Sequence, residues 1–370
     1  MKKASEAVVK LAGMLCILAM LAACGSSPAE TSNANADPAA AAGNQAGGAG
    51  ANAGNDAEDG AAGGRASEQP VKVRFSEVIR SIFYAPHYAA MDQGFFAEQG
   101  LEIDMNTAQG SDKGAAALIA GTADISLVGP ETAIYIYNQE GDDKIKIFYQ
   151  LTTKDGSFLL SREPVENFAW SDLAGRTVIG WRPGSAPQMV MSAQLAKEGV
   201  EGVEVVTNLA APAMAGAFTS GQGDFIQLFE PVASTLVQEG AAHYVTSMGE
   251  AFGDFPETSY VATADYIAAH PDVIQRFVQA VAMGTKWLET ASDDEIVAAL
   301  SPFFEGTSDE LILQSIARYQ EQGTWADPQL TESQFATLQD VLVGSGVLED
   351  AQRVDALEQV ADMQFVEKIE

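Results

Sequence analysis

Apolar and polar residues alternate from Val71 to Ser76, and a cluster of aromatic and polar side chains follows. Such alternation predicts a strand with one buried face. The cluster stands where this strand gives way to a helix, and open α/β sheets bind ligands at that point. We therefore predict that residues 71–101 form one edge of a binding site, with core packing of the aromatic rings as the alternative. The side chains concerned are Ser81, Phe83, Tyr84, His87 and Tyr88.

The succession of strand, polar turn and helix repeats further along the chain. Runs at 101–107 and 125–128 predict strands, and runs at 115–120 and 133–137 predict the helices that follow them. A repeat of about 25 residues is typical of βαβ units and predicts a mostly parallel sheet. The turns after these strands carry Ser111, Asp112 and Glu131.

A second group of strands and helices begins near Asp172. Apolar runs predict strands at 203–206, 224–229 and 243–246. Before them, the loop 182–187 opens a helix with Ser185 near its N-cap. Free backbone N–H groups at such a position suit an anion or a carbonyl group, and plain capping of the helix is an equal alternative.

A returning strand is predicted at 258–262, and the pattern after it is helical. Pro271 suits the first turn of a helix, and Trp287 and Trp325 are predicted to be packing residues within helical segments. The predicted helices cover 271–290, 293–304, 308–320 and 331–344.

The chain is strongly acidic. Its 51 Asp and Glu residues against 20 Lys and Arg residues give a formal net charge of −31. Such a surface repels nucleic acid and anionic membrane faces, so we expect no nucleic-acid partner. A length of 370 residues with 47% hydrophobic residues is sufficient for two domains with a substantial core.

Residues 1–23 have the features of a secretory leader. Basic residues precede an apolar run at 11–21 that is too short to span a bilayer comfortably. Leu21-Ala22-Ala23-Cys24 then resembles the bacterial lipobox, whose cysteine becomes the lipid-bearing first residue of the mature protein; an ordinary signal peptide is the alternative. We predict lipidation at Cys24 and a protein held at the extracytoplasmic face of the cell membrane. Because Cys16 would leave with the leader, no cysteine would remain for a disulfide.

Residues 25–69 contain no Val, Leu, Ile, Met, Phe, Tyr or Trp. A segment of this composition cannot bury enough apolar surface to offset the entropy of ordering. We therefore predict a flexible tether over 24–69, with a root-mean-square reach of roughly 35–40 Å.

Three stretches, taken in order, resemble the solute-binding proteins of ABC importers. They are YAPHYAAMDQGFFAEQGLEI from Tyr84, GTADISLVGPE at 121–131 and LAGRTVIGWRPGSAPQ at 173–188. The similarity is to the branch for nitrate, sulfonate, taurine and thiamine-pyrimidine precursors, and it extends from Val71 to the C-terminus.

This resemblance implies an α/β fold of the type II periplasmic binding proteins, with two lobes and a ligand enclosed between them. Transferred to this chain, lobe 1 covers 70–156 plus 257–370 and lobe 2 covers 157–256. We accordingly expect a monomer that partners an ABC permease and needs neither a cofactor nor a metal.

Members of the family bind their ligands among the strand-end loops. Aromatic faces can enclose a planar ring and carboxylates can accept from its amino groups, whereas a sulfonate or nitrate requires N–H and hydroxyl donors. The carboxylates among the matching positions favour a nitrogen heterocycle such as a thiamine pyrimidine, and helix capping is the alternative role for each of them. The predicted ligand-binding residues are Phe83, Tyr84, His87, Ser111, Asp112, Glu131, Trp181, Arg182, Gly184, Ser185, Asn208 and Glu230.

The same fold family includes a pyrimidine synthase that uses an iron-linked cysteine cluster and histidines. This chain has three histidines far apart in sequence, and it contains no HExxH, GxSxG or GxxxxGK[ST] motif. We therefore predict a binding protein and not an enzyme. The alternatives are a sulfonate, taurine or nitrate importer component, a lipid-anchored sensor for a membrane receptor, and an extracytoplasmic enzyme.

Overall fold

The computed structural model describes residues 69–139, 141 and 144–369. The predicted leader, Cys24 and residues 24–68 of the predicted tether lie outside this part of the chain. In the described residues the strands are β1 (Val71–Glu77), β2 (Leu101–Thr107), β3 (Ile125–Val128), β4 (Ile145–Lys154), β5 (Ser157–Ser161), β6 (Thr177–Ile179), β7 (Glu204–Val206), β8 (Phe225–Phe229), β9 (His243–Ser247) and β10 (Asp254–Thr263). The α-helices are α1 (Ala85–Asp92), α2 (Phe95–Glu98), α3 (Ser111–Ile119), α4 (Glu131–Tyr137), α5 (Ala186–Lys197), α6 (Ala211–Thr219), α7 (Val232–Gln238), α8 (Met248–Phe252), α9 (Ala264–Ala269), α10 (Pro271–Leu288), α11 (Asp293–Leu300), α12 (Asp309–Gln322) and α13 (Glu332–Gly344).

The two sheets share one arrangement. The first has the strand order β2-β1-β3-β10-β4 and the second β7-β6-β8-β5-β9. In each sheet the first three strands are parallel, and the fourth is antiparallel to both of its neighbours. Most strands therefore point the same way, as expected, but both sheets are mixed. We call the first sheet and its helices lobe 1, and the second sheet and its helices lobe 2.

The alternation at the start of the folded chain is confirmed as β1, in which Val73 and Phe75 are buried. The aromatic cluster after it is helical. A 3-10 turn at Ile82–Tyr84 leads directly into α1, because Pro86 fits the first turn of a helix.

Trp325 does not lie in a helix as predicted. Helix α12 ends at Gln322, and Gly323 follows with φ 69°, the left-handed conformation that commonly terminates helices. Trp325 therefore stands in the turn beyond the helix, where its Nε1 donates to Phe83 O at 3.0 Å. Its predicted packing role agrees with a ring contact to Tyr319 at 5.8 Å between centroids.

The chain passes from lobe 1 to lobe 2 between β4 and β5, and it returns between β9 and β10. Helix α12 contacts both crossings. The Gln322 side chain donates to Asp155 O at 2.9 Å and accepts from Ser247 Oγ at 2.7 Å. Tyr319 OH donates to Gly156 O at 2.9 Å. One helix therefore holds both connections between the lobes.

Buried apolar side chains are continuous across the lobes. Phe83 of lobe 1 packs against Phe229 of lobe 2 with the ring centroids 5.3 Å apart, and it packs against Tyr319 at 5.2 Å. The lobes thus share part of their core. None of the helices in the described residues is both long and apolar enough to cross a membrane.

Candidate ligand-binding site

A cavity of about 130 Å³ lies between the lobes. Residues just beyond β1, β2 and β3 line it from lobe 1, and residues at or beyond the ends of β6, β7 and β8 line it from lobe 2. Loops converge at this edge of an α/β sheet, which is why ligands bind there. A cavity of this volume holds several water molecules, so it suits a small solute.

Aromatic rings form one wall of the cavity. Trp181, which follows β6, meets Phe229 at the end of β8 edge to face, with 5.0 Å between centroids. Tyr84 lines the cavity from lobe 1. The buried Trp181 Nε1 has no hydrogen-bond acceptor within the described part of the chain. A flat ligand with an acceptor group would match this wall.

Glu257 provides a carboxyl group on the lobe 1 side of the cavity. It lies on β10, is 2% exposed and lines the cavity. Its Oε2 has no hydrogen-bond partner among the described residues. Burial, together with the charges of Asp155 and Glu131, raises the pKa of Glu257 well above its usual value. When ionised, the Glu257 carboxylate can therefore accept a hydrogen bond from a ligand, and when protonated it can donate one.

Glu131 stands at the first residue of α4 and is 1% exposed. Burial raises the pKa of its carboxyl to about 8, although hydrogen bonds from its own N–H and from the Ala186 N–H at the start of α5 oppose the shift. Its Oε2 has no partner in the described residues. Glu131 belongs to lobe 1 and Ala186 to lobe 2, so the hydrogen bond between them joins the two lobes beside the cavity.

Asp155 is fully buried at the first crossing between the lobes. Its Oδ1 accepts from Ser157 N at 2.7 Å and from Ser157 Oγ. Its Oδ2 has no partner within the described part of the chain. Burial raises the pKa of Asp155 to about 6, while the bonds from Ser157 lower it.

An ion pair spans the two lobes at the mouth of the cavity. Arg182, beyond β6, donates to Asp112 Oδ1 of α3 at 2.8 Å, and this bond lowers the pKa of Asp112. Tyr135 OH of α4 adds a second bond between the lobes by donating to Gly184 O at 3.1 Å. A more open groove of about 650 Å³ lies beside these bonds and shares Ser111, Arg182 and Ser185 with the cavity.

Most of the predicted site residues come together here. The structure places five of them on the cavity and three more on the adjoining groove, whereas four lie away from both. On the cavity are Tyr84, Ser111, Trp181, Arg182 and Ser185. On the groove are Asp112, Glu131 and Gly184. Away from both are Phe83, His87, Asn208 and Glu230.

The four residues outside the cavity have other surroundings. His87 is buried in lobe 1, where its ring stacks on Phe75 at 4.1 Å and its Nδ1 lies 3.0 Å from Tyr260 OH. Burial, with a smaller contribution from the charge of Arg80, lowers the pKa of His87 to about 3. Phe83 belongs to the shared core, and Asn208 is exposed beyond β7.

Glu230 has the capping role that the sequence left open as an alternative. Its carboxylate accepts from Ser234 N at 2.9 Å and Ser234 Oγ at 2.8 Å at the start of α7, and it pairs with Arg318 of α12. Both oxygens are engaged within the protein, so this carboxylate stabilises a helix start and an interlobe contact.

The sequence prediction missed Glu257, Asp155 and Phe229. Phe229 ends a strand that was predicted, so its position next to Glu230 was an available signal. Glu257 lies within β10 and Asp155 lies between β4 and β5, and each is a carboxylate within an otherwise buried run of residues. A buried-strand pattern broken by one carboxylate is the signal that could have identified them.

The two lobes enclose a cavity of the size of a small solute, an arrangement suited to binding a solute between them. Residues 82–293 match the NMT1/THI5-like family, and the chain belongs to that family. It is 40% identical over 285 residues to YtlA of Bacillus subtilis (strain 168), covering 76% of this chain and 85% of that protein, whose description as a binding protein is itself provisional.

Solved structures share the fold at low sequence identity. The alkanesulfonate-binding protein SsuA from Xanthomonas axonopodis pv. citri is similar with a TM-score of 0.66 and 16% identity, covering 80% of this chain and 99% of that one. The desulfurization enzyme DszB is similar with a TM-score of 0.55 and 17% identity, covering 80% of this chain and 98% of that one. Because binding proteins and an enzyme share the fold, the side chains of the site must decide the function.

Proposed function

We propose that this protein captures a small nitrogen heterocycle by closure of its lobes and delivers it to an ABC permease. The observation that carries the proposal is the Glu257 carboxyl, which is buried at the cavity with one oxygen unpaired among the described residues. An amino or ring N–H group would satisfy that oxygen, and the rings of Trp181 and Tyr84 would contact the faces of a planar solute.

Lobe closure would complete the site. We propose lobes at 70–156 plus 257–370 and at 157–256, and lobe 1 would present the acceptor while lobe 2 presents the Trp181 ring. A ligand that contacts both lobes favours the closed state by its difference in affinity for the two states. The Asp112–Arg182 pair would add a contact made only on closure.

A small sulfonate is the second candidate. It is favoured by Lys113, which is exposed beside the cavity, and by Ser111, whose Oγ accepts from Gly129 N at 3.1 Å and keeps its proton available. Against it, Arg182 is already paired with Asp112 and Ser185 Oγ donates to Arg182 O at 2.7 Å. Two donors of the cavity, Arg182 and Ser185, are thus engaged, whereas its carboxyl acceptor is not.

Calorimetric titration and thermal unfolding with a panel of solutes would test the proposal. The panel contains a hydroxymethyl aminopyrimidine, riboflavin, taurine, an alkanesulfonate and nitrate. We expect the pyrimidine to stabilise the protein by about 2.7 kcal/mol at a hundredfold excess over its dissociation constant. A shift with taurine, the alkanesulfonate or nitrate alone would favour the second candidate and contradict the first.

We also propose that the protein is a monomer anchored by a lipid at Cys24. The support is the lipobox-like sequence Leu21-Ala22-Ala23-Cys24 after an apolar run. Phase partitioning of the protein expressed in a bacterial host measures the anchor directly. The chain should enter the detergent phase and Cys24→Ala should not; equal partitioning of both would contradict the anchor.

A further inference from the structure

Three buried carboxyl groups lie on or near the lobe 1 side of the cavity, and the charges of two of them act on the third, Glu257. Glu131, Asp155 and Glu257 are each at least 98% buried, and each keeps one oxygen without a hydrogen-bond partner among the described residues. Glu257 lines the cavity directly. The Glu131 carboxyl is close to Gly129, which also lines the cavity, since a Cβ atom on Gly129 would overlap the Glu131 oxygens.

Within the described residues, no basic side chain pairs with these acids. The charged groups that face Glu257 are the other two acids, and the phenol of Tyr84 is its polar neighbour. Arg182 is bound to Asp112, and Lys113 is exposed at the mouth. Buried carboxylates without a counter-charge are costly, and burial accordingly raises the pKa of Glu131 to about 8 and that of Asp155 to about 6.

We propose that the cavity takes its heterocycle as a cation, with Glu257 as the direct counter-charge and Glu131 and Asp155 as supporting carboxyl groups. This inference rests on the proposed function and narrows its ligand class. A protonated amino heterocycle supplies both the N–H donors that the unpaired oxygens lack and the positive charge that the acid cluster lacks. An anion would meet three carboxyl groups and no unengaged buried cation.

The charge balance gives the proposal a measurable signature. We take Glu257 to be protonated in the free protein at the pH of the titration, which is the state that the raised pKa of its buried carboxyl favours. When the cation binds, Glu257 releases that proton to solvent and its carboxylate pairs with the ligand N–H, while the ligand keeps its own proton. One positive charge enters and one leaves, so the net charge of the cavity is unchanged. Binding of a neutral heterocycle releases no proton.

Two matched probes separate charge from shape. At pH 7, 4-aminopyridine is a cation and 4-aminopyrimidine is neutral, although they differ by a single ring atom; benzenesulfonate serves as the anion of similar size. Each is titrated calorimetrically into the full chain in two buffers with different ionisation enthalpies. We expect the cation to bind at least about tenfold more tightly than the neutral ring, with about one proton released per ligand.

Substitutions test whether the preference for the cation arises in the cavity. Glu257→Gln should reduce the preference for the cation over the neutral ring to about twofold or less and abolish proton release. Asp254→Asn is the matched control, because Asp254 is on the same strand but its side chain is 77% exposed, and it should bind both probes as the unaltered protein does. Glu131→Gln tests the supporting group and should weaken the preference partially.

The outcomes distinguish this inference from the proposed function. If the neutral ring binds as tightly as the cation, or if binding releases no proton, the cation inference is wrong and a neutral heterocycle remains the ligand class. Tighter binding of benzenesulfonate than of 4-aminopyridine would overturn both. If Glu257→Gln does not fold, the comparison of the two probes on the unaltered chain and on Glu131→Gln still decides the question.

Discussion

Lobe 1 and lobe 2 have the same strand order but contribute different chemistry to the cavity. Lobe 1 supplies the carboxyl group of Glu257 on the cavity and that of Glu131 on the adjoining groove, whereas lobe 2 supplies the rings of Trp181 and Phe229 and the start of α5. The backbone topology therefore determines where a solute meets the protein, and the side chains at the strand ends determine which solute it is. Four substitutions test this division of roles, from the largest expected effect to the smallest.

Phe83→Ala should mainly destabilise the protein, because Phe83 is fully buried where the two lobes share their core. We expect a loss of about 3–5 kcal/mol in the free energy of unfolding, measured by urea denaturation. Phe168→Ala, at a half-buried ring of lobe 2, should cost less. A small loss of stability with a large loss of affinity would instead make Phe83 a ligand contact, as its sequence position suggested.

Trp181→Ala should remove the main apolar contact that lobe 2 offers. A loss of about 2 kcal/mol in binding free energy, which is about thirtyfold in the dissociation constant, is typical of a buried aromatic contact. Titration with the solute identified in the panel provides the measurement. Trp170→Ala is the control, because Trp170 packs on Phe168 with centroids 5.4 Å apart and does not line the cavity. Equal losses of binding free energy in both variants would show that the substitutions act through folding and not through the site.

Glu131→Gln should change how the free energy of unfolding depends on pH. The folded-state pKa of about 8 lies above the usual value of 4.5, so the native state binds more protons than the unfolded state between these values. The contribution of Glu131 is therefore fully present below pH 4.5 and is lost as the pH rises towards 8. Thermal unfolding from pH 5 to 8 should show a free energy of unfolding that declines as the pH rises. The slope of this decline should be shallower in the variant, by an amount that corresponds to up to about one bound proton. An unchanged slope would mean that Glu131 is ionised in the native state.

Asp112→Asn should have the smallest effect, because the Asp112–Arg182 pair is solvent-exposed at the mouth. Exposed pairs contribute about 0.2–1 kcal/mol, so we expect the ligand dissociation rate to rise by no more than about fivefold, and less at high salt. Stopped-flow measurements would detect this change. Asp104→Asn removes the exposed pair with Lys72, which lines neither the cavity nor the groove, so this control variant should leave the rate unchanged. A rise of a hundredfold would show that the pair controls closure.

Local sequence patterns were sufficient to predict most of the strands and helices, but they did not identify every side chain of the site. The alternation in β1 and the apolar face of α10 follow from sequence, because period-two and helical spacing reflect burial directly. Glu230 and Glu131 both follow strands, and the sequence could not separate them: Glu230 caps α7 because Ser234 and Arg318 surround it. Glu257 was missed because its neighbours Asp155 and Glu131 are distant in sequence.

Helix α12 has a consequence for how the protein unfolds. Through Gln322 and Tyr319 it is bonded to both chain crossings, and the rings around Phe83 join it to both lobes. Neither lobe can lose its structure without exposing apolar surface of the other, so the two should melt as one cooperative unit. Calorimetry should then record a single heat-absorption peak whose van't Hoff and calorimetric enthalpies agree, despite the presence of two separate sheets.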